Sequence, residues 1–184
     1  MHSIREQFWS RGYAATSMDD LMSATGLGKG SLYGAFGGKS QLFQRVLDDY
    51  CAEKLDGMRQ ILKGPGTGLE RLEHLFEGVT QGYTEDLTRR GCFLAISTSE
   101  LHGQHQAVAS RARVTYQEMQ DLLTNCVRDA QVEGDVSAGV DPEEAGVLLL
   151  AVLQGIEFLA KTDIDADTLV RTGRSALSQL KIAV

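Results

Sequence analysis

Proline is almost missing from this chain: only Pro65 and Pro142 occur in 184 residues. Apolar and polar residues almost never alternate either. So few helix breakers and so little period-2 patterning exclude a strand-rich fold and predict an all-helical one of about nine helices. Cysteine is scarce and unpaired. Cys51, Cys92 and Cys126 are an odd number at wide spacing with no C-x-x-C pair, which argues against a disulfide frame or a zinc site and for a reducing compartment. Long hydrophobic runs are lacking too. The longest, Val147 to Leu153, is far short of the ~20 residues that span a bilayer, and no signal-peptide pattern opens the chain. A soluble, cytoplasmic protein without cofactor or metal is expected.

Positive charge is in deficit as well, at −7 overall, but the deficit is uneven. Residues 1–47 carry five basic side chains (Arg5, Arg11, Lys29, Lys39, Arg45) against three acids (Glu6, Asp19, Asp20), so this end stands at +2 and the remainder at −9. A mildly basic head on an acidic body suits a protein that touches phosphate at one end only. The acidic body also discourages unspecific wrapping of a duplex.

What is present is a series of helix signals. Ile4 and Phe8 lie four apart on a short first helix that ends before Gly12. Ser17 with Asp20 forms a capping-box-like start for a second helix, which closes at Thr25-Gly26. A third opens near Gly28 and runs out at Phe36-Gly37-Gly38, where Gly34, Gly37 and Gly38 are expected to loosen the turn. From Lys39 a longer helix carries Leu42, Phe43, Val46, Leu47, Tyr50, Leu55 and Ile61 as its apolar stripe. Gly64-Pro65-Gly66-Thr67-Gly68 is the clearest break, and Thr67 with Glu70 caps the next helix. After Gly91, a short apolar segment leads to one long helix over Gln104–Val132.

Thr16-Ser17-Met18-Asp19-Asp20-Leu21, running on to Leu27-Gly28-Lys29-Gly30-Ser31-Leu32-Tyr33 and Lys39, reads as two short helices joined by a glycine-bearing turn. The second presents small groups, hydroxyls and one cation without bulky obstruction, as a helix-turn-helix must to enter a major groove. Leu21, Leu27, Leu32 and Phe36 are expected in its core. Further on, Asp141-Pro142-Glu143-Glu144 is a strong helix start. From Ala145 to Leu153 every residue is apolar or glycine, so this helix should be sandwiched between the body's core and a partner. Gly173 and Ala176 on the last helix are small enough for a close crossing. A homodimer through the helices at 142–162 and 165–182 is expected, the alternative being a central helix in a monomer.

Phe8, the Gly12-Tyr13-x-Ala15-Thr16-Ser17 run, Leu21, Gly26 to Tyr33, Phe36, Lys39 and Leu42 resemble the head of the tetracycline-repressor (TetR/AcrR) family of transcriptional regulators. In the body, Arg90-Gly91-Cys92-Phe93-Leu94 and Leu153-Gln154-Gly155-Ile156-Glu157 resemble one subgroup of it. The resemblance implies a helix-turn-helix DNA-binding domain over 1–47 and a helical ligand-binding and dimerisation domain over 48–184. It also implies a regulator, usually a repressor, that acts on double-stranded operator DNA.

Carried onto this sequence, the resemblance makes Ser17, Gly28, Lys29, Gly30, Ser31, Tyr33 and Lys39 the DNA-binding set. Ser17 caps the second helix and offers a hydroxyl to phosphate. Lys29 is the one cation on the recognition helix, suited to guanine or phosphate. Gly28 and Gly30 let the backbone approach the groove floor, and Ser31 adds a short hydroxyl. Tyr33 resembles the family's phosphate-binding tyrosine, and Lys39 should clamp a flanking phosphate. The glycine-rich stretch ending in Lys39-Ser40 is no nucleotide loop, because Tyr33 stands where that template needs glycine.

For an unknown small-molecule effector, the expected lining is Phe76, Tyr83, Cys92, Phe93, Tyr116, Met119 and Glu157. Cys92 follows Arg89-Arg90-Gly91 at an expected helix start, where both features favour thiolate and an electrophile- or redox-sensing role, against the alternative of a buried small hydrophobe. The expected mechanism is a change of spacing. A dimer sets two recognition helices in successive major grooves roughly 34–36 Å apart, and ligand tilts the long fourth helix. Two other readings stand beside this one. Glu100, His102 and His105 could make a helical enzyme or a metal site, and the helix-turn-helix could contact protein rather than DNA.

Overall fold

The computed structural model describes residues 1–85 and 90–181. Among these it holds nine helices and no strand: α1 (His2–Arg11), α2 (Met18–Thr25), α3 (Lys29–Phe36), α4 (Lys39–Leu62), α5 (Gly68–Glu85), α6 (Phe93–Leu101), α7 (Gln106–Glu133), α8 (Pro142–Leu159) and α9 (Ala166–Ser178). The all-helical expectation holds.

Local chemistry explains the boundaries. At α2 the Ser17 hydroxyl oxygen accepts the Asp20 N–H at 3.1 Å, and the Asp20 carboxylate accepts the Ser17 N–H at 2.8 Å. Thr67 and Glu70 repeat this reciprocal cap at α5, at 3.3 and 2.9 Å. Asp141 accepts the N–H groups of Glu143 and Glu144 to open α8, with Pro142 in the first turn. Gly68, where α5 begins, has no room for a side chain. A Cβ there would stand 2.6 Å from the backbone nitrogen of Ala130.

The chain forms two compact units, Met1–Glu53 with Phe93–Arg113, and Lys54–Cys92 with Val114–Val184. In the first, Ile4, Phe8, Leu21, Leu32, Leu42, Phe43, Val46 and Leu47 are buried. Phe93 at the start of α6 joins them in an aromatic cluster, its ring centroid 5.6 Å from those of Trp9 and Tyr50 and 5.8 Å from that of Phe43. The second unit has its own core, in which Leu72, Leu75, Phe76, Met119, Leu123, Leu149, Leu153, Ile156 and Leu169 are buried together.

Two expectations are corrected. Leu27 is not core; it lies 44% exposed in the short turn between α2 and α3, whereas Leu32 of α3 is buried and Phe36 half-buried. Gly37 and Gly38 do not loosen the following turn. They adopt φ of +81° and +150°, conformations that side chains resist, and the Gly37 N–H closes α3 on the Tyr33 carbonyl at 2.8 Å. The close crossing expected at Gly173 is present, with α5: a Cβ there would meet the Phe76 ring at 2.9 Å.

Candidate functional site

The helix-turn-helix is built around two buried leucines, Leu21 of α2 and Leu32 of α3, each with no accessible surface. With Leu32 turned inward, Gly28, Lys29, Gly30, Ser31, Tyr33 and Gly34 all lie exposed. Gly28 caps α3 without a side-chain hydrogen bond, so the positive end of the helix stays open to an anion. The Lys29 ammonium sits 5.8 Å from the centre of the Tyr33 ring.

The glycines of α3 are informative. A Cβ added to Gly28, Gly30 or Gly34 would meet nothing within 4 Å, and none of the three has a positive φ. Nothing in the chain's own packing therefore demands glycine there, although each glycine within a helix costs about 0.5–1 kcal/mol relative to alanine. Gly28, Gly30 and Gly34 leave this stretch smooth and exposed. Gly34, four residues after Gly30, is a candidate addition to this face, where the sequence pattern predicts a loosened turn.

Ser17 and Lys39 are exposed or half-exposed but already engaged. The Ser17 hydroxyl donates to the Asp20 carboxylate at 2.6 Å, and Arg11 pairs with the same carboxylate at 2.6 Å. The Ser17 hydroxyl and N–H, and after them Arg11, hold Asp20 down at a pKa of about 2. The Lys39 ammonium lies 4.3 Å from the centre of the Tyr13 ring and donates to the Ala14 carbonyl at 3.5 Å.

In the second unit, three of the expected effector residues converge on two that were not foreseen. Lys54 of α4 donates to the Glu157 carboxylate of α8 in a buried ion pair. Gln154 donates to the other Glu157 oxygen at 2.9 Å, and the Tyr116 hydroxyl donates to Gln154 at 3.2 Å. The Lys54 ammonium lies 5.7 Å from the Tyr83 ring centre. Burial works against the charge on Lys54, but the Glu157 carboxylate outweighs it and holds the ammonium above the ordinary lysine range. Phe76 and Met119 are buried in the core of the second unit.

Cys92 is 3% exposed and immediately precedes α6. Of the arginines thought to favour its thiolate, Arg89 lies outside the described residues and Arg90 is half-buried. Phe93 falls in the first unit and not with the other six. A cavity of about 380 Å³ in the second unit lies between α5 and α9, where Glu77–Arg174 and Glu73–Lys181 ion pairs stand beside Phe76 and Leu177.

Comparison with known proteins decides the family. A family model described as Bacterial regulatory proteins, tetR family, matches residues 1–46, and one described as Tetracyclin repressor-like, C-terminal domain, matches residues 68–176. The chain belongs to the tetracycline-repressor family. It is a ligand-responsive, DNA-binding transcriptional regulator. The HTH-type transcriptional repressor ComR of Escherichia coli is 25% identical over 173 residues, spanning 92% of this chain and 81% of that protein. A cysteine variant of the TetR-family regulator CifR, solved in complex with 26-base-pair operator DNA, superposes with a TM-score of 0.85 at 27% identity, covering 96% of this chain and 93% of that one. A TetR-family regulator from Agrobacterium tumefaciens shares the fold, with a TM-score of 0.85 at 22% identity over 97% of this chain and 93% of its own.

The alternative of an enzyme or metal site at Glu100, His102 and His105 finds no support in this regulator. Both Glu100 carboxylate oxygens are taken by backbone, accepting the N–H groups of Tyr13 and Ala14 at 2.8 Å each. The His105 ring packs against Tyr13 with centroids 5.0 Å apart, and His102 faces solvent. No group of three or more His, Cys, Asp or Glu side chains that could hold a metal occurs among the described residues.

The missed residues differ in how visible they were. Lys54 stands four residues after Tyr50 and four before Met58 on the buried stripe of α4, and a cation at a core position is a signal in itself. Gln154 carried no such mark. The Gly34 assignment can be tested through its two opposed effects. Gly34→Ala should raise the stability of the head by about 0.5–1 kcal/mol while weakening operator binding, measured by thermal melting and gel shift. A variant that gains stability without losing affinity would show that nothing approaches α3 at this point.

Proposed function

We propose that this TetR-family regulator represses transcription by binding its operator as a homodimer, and is released by a small molecule held in its C-terminal body. The observation that carries the DNA interface is the smooth, uncapped and outward α3. Lys29 reads a base edge or phosphate, and Gly28, Gly30 and Gly34 bring the backbone close to the groove floor. Ser31 adds a hydroxyl, while Tyr33 and Lys39 hold flanking phosphates. Ser17 contributes by turning its O–H from Asp20 to a phosphate. In this reading residues 1–47 form the DNA-binding domain and 48–184 the ligand-binding and dimerisation domain.

The dimer uses α8 and α9, over 142–162 and 165–182. Support comes from the outer face of α8, where Val147, Leu148, Ala151 and Phe158 are exposed at helical spacing, opposite the buried Ala145, Leu149, Leu153 and Ile156. A solvated helix has no use for such a stripe, and a second copy covers it. Exposed Arg171, Arg174 and Ser178 of α9 supply the polar rim.

The effector is recognised at the Lys54–Glu157–Gln154–Tyr116 network, with Tyr83 beside it, Phe76 and Met119 as apolar wall and Cys92 as the group that reacts with an electrophile. Phe93 serves the aromatic core of the first unit. The ligand favours the DNA-incompetent spacing of the recognition helices, and a coupling of about 1–3 kcal/mol weakens operator binding some 5- to 150-fold. This reading assigns no enzymatic step to any residue and places the protein in the cytoplasm. No helix among the described residues is long and apolar enough to cross a membrane.

Lys39→Ala tests the phosphate clamp. It should weaken binding to specific and unspecific duplexes alike, and lower the slope of log affinity against log salt by about one. An unchanged slope in fluorescence anisotropy titrations would remove Lys39 from the interface.

A further inference from the structure

Glu100 lies 61 residues beyond Lys39 in the sequence, yet in the first unit they grip the same two residues. The Glu100 carboxylate accepts the N–H groups of Tyr13 and Ala14 at 2.8 Å each. Lys39 lies over the Tyr13 ring at 4.3 Å and donates to the Ala14 carbonyl at 3.5 Å. His105, immediately before α7, packs its ring on Tyr13. A carboxylate that takes two successive backbone N–H groups fixes that peptide in position and orientation, because charge-assisted bonds are short and strong.

Gly12 shows how close the grip is. Its φ is +81°, and a Cβ there would stand 2.8 Å from a Glu100 oxygen. The turn between α1 and α2 is thus shaped to let the carboxylate in. This turn is also the floor against which the Lys39 ammonium rests. A lysine has four rotatable bonds, and holding its head group in one place before DNA arrives removes entropy that binding would otherwise have to remove.

We propose that Glu100 is a positioning residue for operator binding: by clamping Tyr13 and Ala14, it seats the Lys39 ammonium at the height of the flanking phosphate. The proposal rests on the reading of Lys39 as a phosphate contact. It gives α6, outside the helix-turn-helix, a direct part in presenting a DNA-binding group.

The test is a double-mutant cycle on the full-length protein, with operator affinity and its salt dependence measured for wild type, Glu100→Ala, Lys39→Ala and the double variant. Glu100→Ala should lower operator affinity about tenfold and reduce the salt slope towards that of Lys39→Ala. In the Lys39→Ala background the same change should cost less than about twofold, because the group it positions is gone. Glu100→Gln, which keeps the shape and one acceptor oxygen, should fall between wild type and Glu100→Ala, and serves as the folded variant should the alanine form melt early. A merely structural Glu100 would lower the melting temperature and leave the salt slope alone. Losses that multiply independently in the double variant, or a Glu100→Gln protein with wild-type affinity and slope, would overturn the proposal. Should Lys39→Ala itself leave affinity and slope unchanged, the reading of Lys39 fails first, and the two failures are told apart.

Discussion

Glu157→Ala is expected to destabilise the protein by about 3–5 kcal/mol, because it strands the Lys54 ammonium in the interior without its counter-charge. The Lys54 side chain is 13% exposed and the Glu157 side chain 2%, so little water is at hand to take the carboxylate's place. The change also leaves the Gln154 amide without the acceptor it uses at 2.9 Å. Urea denaturation followed by circular dichroism measures the loss. A second variant gives it meaning: Lys54→Met with Glu157→Leu removes both charges together, and should return the stability to wild type or above it. If the apolar pair is as stable as the ion pair but the regulator no longer leaves DNA in the presence of its effector, the charges serve recognition and not folding. A Glu157→Ala protein within about 0.5 kcal/mol of wild type would mean that Lys54 escapes to solvent, and the network would lose its claim to be a binding site.

Lys29→Ala is expected to cost about 1–3 kcal/mol of operator binding and to relax the preference for one base position. Lys29 is exposed on α3 and is the only basic residue between Arg11 and Lys39. No other cation on the helix can take over. Selecting bound duplexes from random DNA with the wild type and the variant separates the two kinds of contact. Loss of preference at one position marks base reading. A uniform loss over all sequences assigns Lys29 to the backbone, together with Lys39.

Much of the fold could be read from local sequence, because helix starts are written locally. Ser17 with Asp20, Thr67 with Glu70, and Asp141 before Pro142 each place a side-chain acceptor within three residues of the N–H it caps, and each opens a helix in the structure. The apolar stripe of α4 from Leu42 to Leu55 is likewise buried, though Leu62 and not Ile61 completes it. The recognition helix was legible for a similar reason, since its small residues and single cation are consecutive.

What escaped was non-local. The Lys54–Glu157 pair closes over 103 residues and the Glu100–Tyr13 bond over 87, and no periodicity within either segment announces its partner. Glu100 beside His102 and His105 looked like a ligand set only because sequence shows neighbours and not which groups are already satisfied. Leu27 illustrates the converse. Its apolar character suggested the core, but the left-handed Gly26 that ends α2 makes a tight turn with no inward position for it.

The uncovered stripe on α8 has a consequence for how this regulator counts its own copies. A lone subunit would carry Val147, Leu148 and Phe158 into water, and in the proposed dimer their burial is lost by mass action as the protein is diluted. If the dimer is the species that binds, operator occupancy rises faster than in proportion to the amount of chain synthesised. Scarcity would then thin the paired species more steeply than the polypeptide, and modest changes in expression would become sharper changes in occupancy.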